Sequence, residues 1–141
     1  MNKSISYLMS REHCKLQKIL EKSFKSKKRE QQERIFEQFK INLEKHFFLE
    51  EKIILKNTKI EDLDNFEDIE ELLDEHKEIL ELIEAIENNI HVSKDDQMLL
   101  TNDLKDHIAV ENKVLYPLLD DLLSLSEKEE IIEESRLFLK V

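Results

Sequence analysis

A chain of 141 residues with no glycine, one proline and one cysteine has room for one core, and it cannot build the glycine-rich loops that cradle phosphates, which need a backbone without Cβ. A formal net charge of −11, with 39% of residues charged, repels phosphate backbones and anionic headgroups, which excludes nucleic acid and membrane surfaces as general partners. Lone Cys14 cannot close an intrachain disulfide, no apolar stretch is long enough for a signal peptide or a membrane span, and the expected location is cytoplasmic.

Apolar residues recur at helical spacing along almost the whole chain, and no run alternates as a half-buried strand does, so the expected fold class is all-α. The first helix is predicted from Ser6 to Phe24, with Met9, Leu16 and Leu20 on one face. The basic stretch Lys22, Lys25, Lys27, Lys28 and Arg29 ends it and reads as a solvated turn. The second is predicted from Glu30 to Lys56, with Phe36, Phe39, Leu43, Phe47 and Ile54 inward. Asn57 can end a helix in the left-handed conformation where glycine is missing, and Asn57 to Asn65 reads as a loop. The third helix, from about Phe66 to Asn89, carries Leu72, Leu73, Ile79, Leu80, Ile83 and Ile90.

Ser93, followed by Lys94, Asp95 and Asp96, has the form of an N-cap with acids in the first turn. It opens a fourth helix whose inward residues are Leu100, Leu104, Ile108, Val114, Leu115, Leu118 and Leu122, with a kink expected at Pro117. Ser126 and Glu129 suggest a capping box for a short last helix ending at Leu139. Four long helices with short connections imply an up-down-up-down four-helix bundle with a short C-terminal helix, one domain over residues 1–141.

Four of the five histidines, His13, His46, His76 and His107, fall one per long helix, 33, 30 and 31 residues apart. In antiparallel helices two residues share a height when their midpoint lies at the connecting turn. The midpoints fall at about residues 29–30, 61 and 91–92, at or beside the three predicted turns, so the imidazoles share one layer within about a turn. At about 100° per residue the four also point with the core: His13 with Met9 and Leu20, His46 with Phe39 and Ile53, His76 with Leu72 and Ile83, His107 with Leu100, Val114 and Leu118. Glu50 follows His46, and Glu111 follows His107, at i+4, which sets each carboxylate on the face of its histidine one turn on. Gln17 and Leu80 hold the equivalent places on the other two helices.

Burying two uncompensated carboxylates costs several kcal/mol each, and bound metal removes that cost. Imidazole with carboxylate suits iron, manganese or zinc, and two carboxylates able to bridge suggest two ions. His91, in a loop away from this layer, reads as solvated. Cys14 points about 100° from the metal-facing direction, and Tyr116, nine residues beyond His107, falls on the opposite side of its helix; neither is expected to be a ligand. Ferritin-like bundles place Glu three residues before His. Those positions hold Ser10, Leu43, Leu73 and Leu104, which excludes that family.

The remaining pattern, His13, then H-F-F-L-E at 46–50, D-E-H-K at 74–77 and H-I-A-V-E-N-K-V-L-Y-P at 107–117, resembles the hemerythrin-like His-His-Glu cation-binding domain over nearly the whole chain. The resemblance implies two non-haem iron ions, oxo- or hydroxo-bridged, with His13, His46, His76 and His107 as terminal ligands and Glu50 and Glu111 bridging. Relatives of this kind bind dioxygen or nitric oxide, sense oxygen or iron, handle peroxide or serve iron–sulfur cluster repair. Oxygen carriers have a fifth histidine where this chain has Leu80, which leaves about two coordination positions open and counts against carriage. The expected function is binding or sensing of a small diatomic ligand, dioxygen or nitric oxide. The alternatives are an oxidoreductase acting on peroxide or nitric oxide, an iron donor in cluster repair, and a metal-stabilised interaction module.

Overall fold

The computed structural model describes residues 4–56, 68–88 and 93–140, and these contain five helices and no strand. Helix α1 covers Ile5–Lys25. Helix α2 covers Arg29–Phe48 and runs on through a wider, π-helical turn at Leu49–Ile54. Helix α3 covers Asp68–Glu87. Helix α4 covers Lys94–Val110, widens into a second π-helical stretch at Glu111–Leu115, and resumes as α-helix over Tyr116–Leu122. The C-terminal helix α5 covers Leu125–Leu139. The predicted cap at Asn57, the Asn57–Asn65 loop, the start at Phe66, the end at Asn89, Ile90 and the loop histidine His91 all lie outside the described residues.

Local chemistry accounts for the helix ends. The Ser4 hydroxyl accepts from the Tyr7 amide at 3.0 Å and opens α1, and Ser93 accepts from the Asp96 amide at 3.0 Å and opens α4, with Asp95 and Asp96 in the first turn where the helix dipole favours acids. The box that opens α5 is not Ser126 with Glu129 but Ser124 with Glu127, both bonds being present at 3.0 and 3.1 Å. The sequence offers the same spacing twice, two residues apart. The first is taken because Leu123 is already extended (φ −86°, ψ 139°) and buried, so the chain turns before Ser124. Helix α5 then lays Ile131 and Ile132 into the core.

The buried apolar residues divide into two clusters. One joins the start of α1 (Ile5, Met9), the end of α2 (Leu49, Ile53, Ile54), the start of α3 (Leu72), the end of α4 (Leu115, Leu119) and α5. The other joins the opposite halves: Leu16 and Leu20, Phe36, Phe39 and Leu43, Ile79 and Ile83, Leu100 and Leu104. Starts meeting ends in alternation is the signature of an up-down-up-down four-helix bundle, with α5 closing one end. On α4 the inward phase after Glu111 differs from the expected one. Val114 is exposed and Leu118 and Leu122 are half-buried, Leu115 is buried as expected, and Tyr116, Leu119 and Leu123 are buried as well. A π turn holds one more residue than an α turn, so every inward position beyond it moves one place along the chain. Pro117 sits at the join where the α-helix resumes; with no amide hydrogen and a ring that crowds the carbonyl four residues back, it disfavours a regular turn there.

Candidate metal centre

Between the two apolar clusters lies a polar layer. His13, His46, Glu50, His76, His107 and Glu111 are each no more than 2% exposed, and the structure brings all six together. They form two overlapping groups, His13, His46, Glu50 and Glu111, and Glu50, His76, His107 and Glu111, each offering one donor atom per residue within 4.8 Å of the others. Both carboxylates belong to both groups. Glu50 presents Oε2 at 3.3 Å from His46 Nε2 and Oε1 at 3.2 Å from His76 Nε2. Glu111 presents Oε1 at 3.1 Å from His13 Nε2 and Oε2 at 3.3 Å from His107 Nε2.

The backbone explains how two helices deliver carboxylates to one layer. Glu50 and Glu111 each lie at the head of a π turn, and their carbonyls accept from the amide five residues on, Leu55 and Tyr116. The turns that follow the two His–Glu pairs are therefore the widened ones, as is common where helices carry functional groups.

Contacts behind the rings fix their orientation. His13 Nδ1 donates to Asn112 Oδ1 at 2.9 Å, and His107 Nδ1 donates to Glu75 Oε2 at 2.6 Å. His76 stacks on Phe47 with ring centroids 3.8 Å apart and has Glu51 Oε1 at 3.6 Å from Nδ1. With the proton on Nδ1, the Nε2 lone pairs of His13 and His107 face the centre. His13 Nε2 and His46 Nε2 stand 3.1 Å apart. His76 Nε2, His107 Nε2 and both Glu111 oxygens have no hydrogen-bonding partner among the described residues, although the ion-pair contacts above bring charge close.

Buried polar atoms are ordinarily satisfied, and lone pairs turned toward one another at these distances repel unless a positive charge lies between them. The protonation behaviour carries the same message. Burial alone would lower the His76 pKa, but Glu111 and Glu50 outweigh it and raise it to about 10. His107 is also raised against burial, by Glu111 and then Glu75. Burial would raise Glu111, yet Glu50, His107, His13 and His76 hold it well below the ordinary carboxyl value. The layer draws positive charge inward, and its donor set of imidazole and carboxylate fits hard or borderline divalent ions.

The hemerythrin HHE cation-binding domain matches residues 4–119. The chain belongs to that family. No curated protein and no solved structure matches the chain. The family's cation-binding character agrees with the buried His/Glu layer, and no helix among the described residues is long and apolar enough to cross a membrane.

One residue of this hemerythrin-like site is not where the spacing put it. Tyr116 is fully buried and its hydroxyl donates to Glu50 Oε2 at 2.6 Å while lying 3.2 Å from His13 Nε2. Nine residues at 100° would place it opposite His107, but the extra residue in the π turn sets it back by about 100° and brings it over Glu111. Burial, followed by the charges of Glu50 and Glu111, raises its pKa well above the ordinary phenol value, so it stays a hydrogen-bond donor. Pro117 was the signal for this. Asn112 and Glu75, next in sequence to Glu111 and His76, gave none. Cys14 is exposed and lies outside the layer.

Proposed function

We propose that this chain holds two iron ions through His13, His46, Glu50, His76, His107 and Glu111, and that it uses them to bind or sense a small diatomic ligand, dioxygen or nitric oxide. The observation that carries the reading is the pair of four-residue groups sharing both carboxylates, an arrangement that fits two neighbouring ions. Iron is favoured over a single tetrahedral zinc because six donor residues exceed what such a zinc uses. Bound iron would supply a redox-active Lewis acid with positions left for a small ligand.

The protein's own part is to hold and to shelter. Asn112 and Glu75 fix the tautomers of His13 and His107, Phe47 holds the His76 ring, and the two apolar clusters keep bulk water from both sides of the layer. Leu80, one turn beyond His76, is apolar and half-buried and adds no donor, so small-molecule access is less restricted by protein ligands than with a histidine there. The reading takes residues 1–141 as one domain, supported by α5 burying Ile131 and Ile132 in the same cluster as the helices it follows.

Elemental analysis of protein produced with ample iron should give two irons per chain, and the absorption of the reduced protein should change on mixing with dioxygen or nitric oxide. One zinc and no iron would refute the iron pair. Two irons with fast, catalytic loss of peroxide, and no lasting spectral change with either gas, would move the function to an oxidoreductase.

A further inference from the structure

The two halves of the polar layer share both carboxylates and differ in everything behind them. On the side of His76 and His107 the groups behind the rings are acidic: Glu75 accepts from His107 Nδ1 at 2.6 Å, and Glu51 lies 3.6 Å from His76 Nδ1, near enough to add charge although His76 Nδ1 has no hydrogen-bond partner among the described residues. On the side of His13 and His46 they are neutral. His13 Nδ1 donates to the Asn112 amide at 2.9 Å, and His46 Nδ1 has no hydrogen-bond partner among the described residues. A carboxylate accepting from an imidazole makes that imidazole a more basic ligand and adds negative charge close by, whereas an amide does only the first, and more weakly.

A second difference points the same way. Tyr116 donates to Glu50 Oε2, the oxygen that faces His46 Nε2 at 3.3 Å. The other Glu50 oxygen, Oε1, faces His76 Nε2 at 3.2 Å. An ion entering between His13 and His46 therefore finds the Glu50 oxygen on its side already engaged by an O–H donor, whereas the Glu50 oxygen on the side of His76 and His107 faces an imidazole.

Building on the two-ion reading, we infer that the two cation positions are chemically unequal: the position between His76 and His107 fills first and more tightly, and Tyr116 acts as a positioning residue that holds Glu50 and weakens the position between His13 and His46. Glu75 is the counterpart of Tyr116 on the tight side, acting through His107.

The test is a titration of the metal-free full-length protein with cobalt(II) chloride, followed by calorimetry and by visible absorption, with circular dichroism as a check that each variant is folded. The native chain should take up two ions in two resolved steps, the first at least about tenfold tighter. Glu75→Gln, at a partly exposed position, should weaken the first step about 10-fold to 100-fold and leave the second unchanged, with Glu75→Asp recovering part of the loss. Tyr116→Phe should tighten the second step about tenfold and leave the first alone, since it frees a carboxylate oxygen from a charge-assisted bond. Two steps of equal affinity, or a Glu75→Gln effect spread over both, would overturn the inequality while the two-ion reading stands. A folded Tyr116→Phe variant with an unchanged or weaker second step would overturn the role of Tyr116. Uptake of fewer than two ions by the native chain would instead refute the two-ion reading on which the inference rests.

Discussion

The two ends of the bundle obey different rules. Around Phe36, Phe39, Leu43, Ile83 and Leu100 the helices keep a regular α period, and the buried positions recur at three and four residues. At the other end both helices that carry a carboxylate widen into π turns at Leu49–Ile54 and Glu111–Leu115, and Tyr116 is carried into the polar layer as a result. Where packing is the only demand, the regular helix is the low-energy answer. Where buried charged groups must be aimed at one another, the backbone departs from it, and the helix carries an extra residue per turn to do so.

The largest effects should separate the two ends by kind. Phe39→Ala, at a fully buried position of the regular end, should lower the stability of the metal-free protein by about 3–5 kcal/mol, with the ligand residues intact and two ions still bound in the folded fraction. Glu111→Ala should do the reverse: it removes a donor common to both groups, so the bound pair should be lost while the chain stays helical. Denaturant melts with metal analysis check both. Phe39→Ala protein that folds but binds no metal would erase the distinction.

A smaller effect should appear in the pH dependence of the metal-free protein. His76, raised from 6.5 to about 10 by the carboxylates, contributes stability that is full below about pH 6.5 and is lost as pH rises toward 10. Glu111 has its folded pKa well below 4.5, so its contribution is full above about pH 4.5 and is lost as pH falls through its lowered value. Stability without metal should therefore peak between about pH 4.5 and 6.5 and decline on the alkaline side. Bound metal displaces the proton from His76, so adding metal at pH 7 should release protons and move the maximum upward. Urea midpoints across this range, with and without metal, give the answer. A metal-free protein that gains stability from pH 6.5 to 9 would contradict the arrangement of the layer.

The smallest effect sharpens the comparison most. Deleting Val114, an exposed residue inside the second π turn, should let α4 revert to a regular α turn while Tyr116, Leu119 and Leu123 keep their inward phase, at a cost below about 2 kcal/mol. Deleting Thr101, in the regular stretch between Leu100 and Leu104, should turn His107 and everything after it by about 100° against the residues before it and abolish both folding and metal uptake. Thermal melts of the two deletions decide it. Equal damage from both would mean that the widened turn holds no spare residue.

By itself the sequence determined the helices, their order and the six residues of the layer. The spacing of His13, His46, His76 and His107, and the i+4 placement of Glu50 and Glu111, translate into height and direction through rules that hold residue by residue along any α-helix. Only the tertiary structure decided the rest. The choice of Ser124 and Glu127 over Ser126 and Glu129, the shift that buries Leu119 and exposes Val114, the approach of Asn112 and Glu75 behind the rings, and the entry of Tyr116 into the layer all depend on which of two near-equal local options lets the packed neighbours fit. A single extra residue in one turn rotates everything beyond it by about 100°, and the energy that selects that turn lies in contacts between helices far apart in the chain, which no local pattern records.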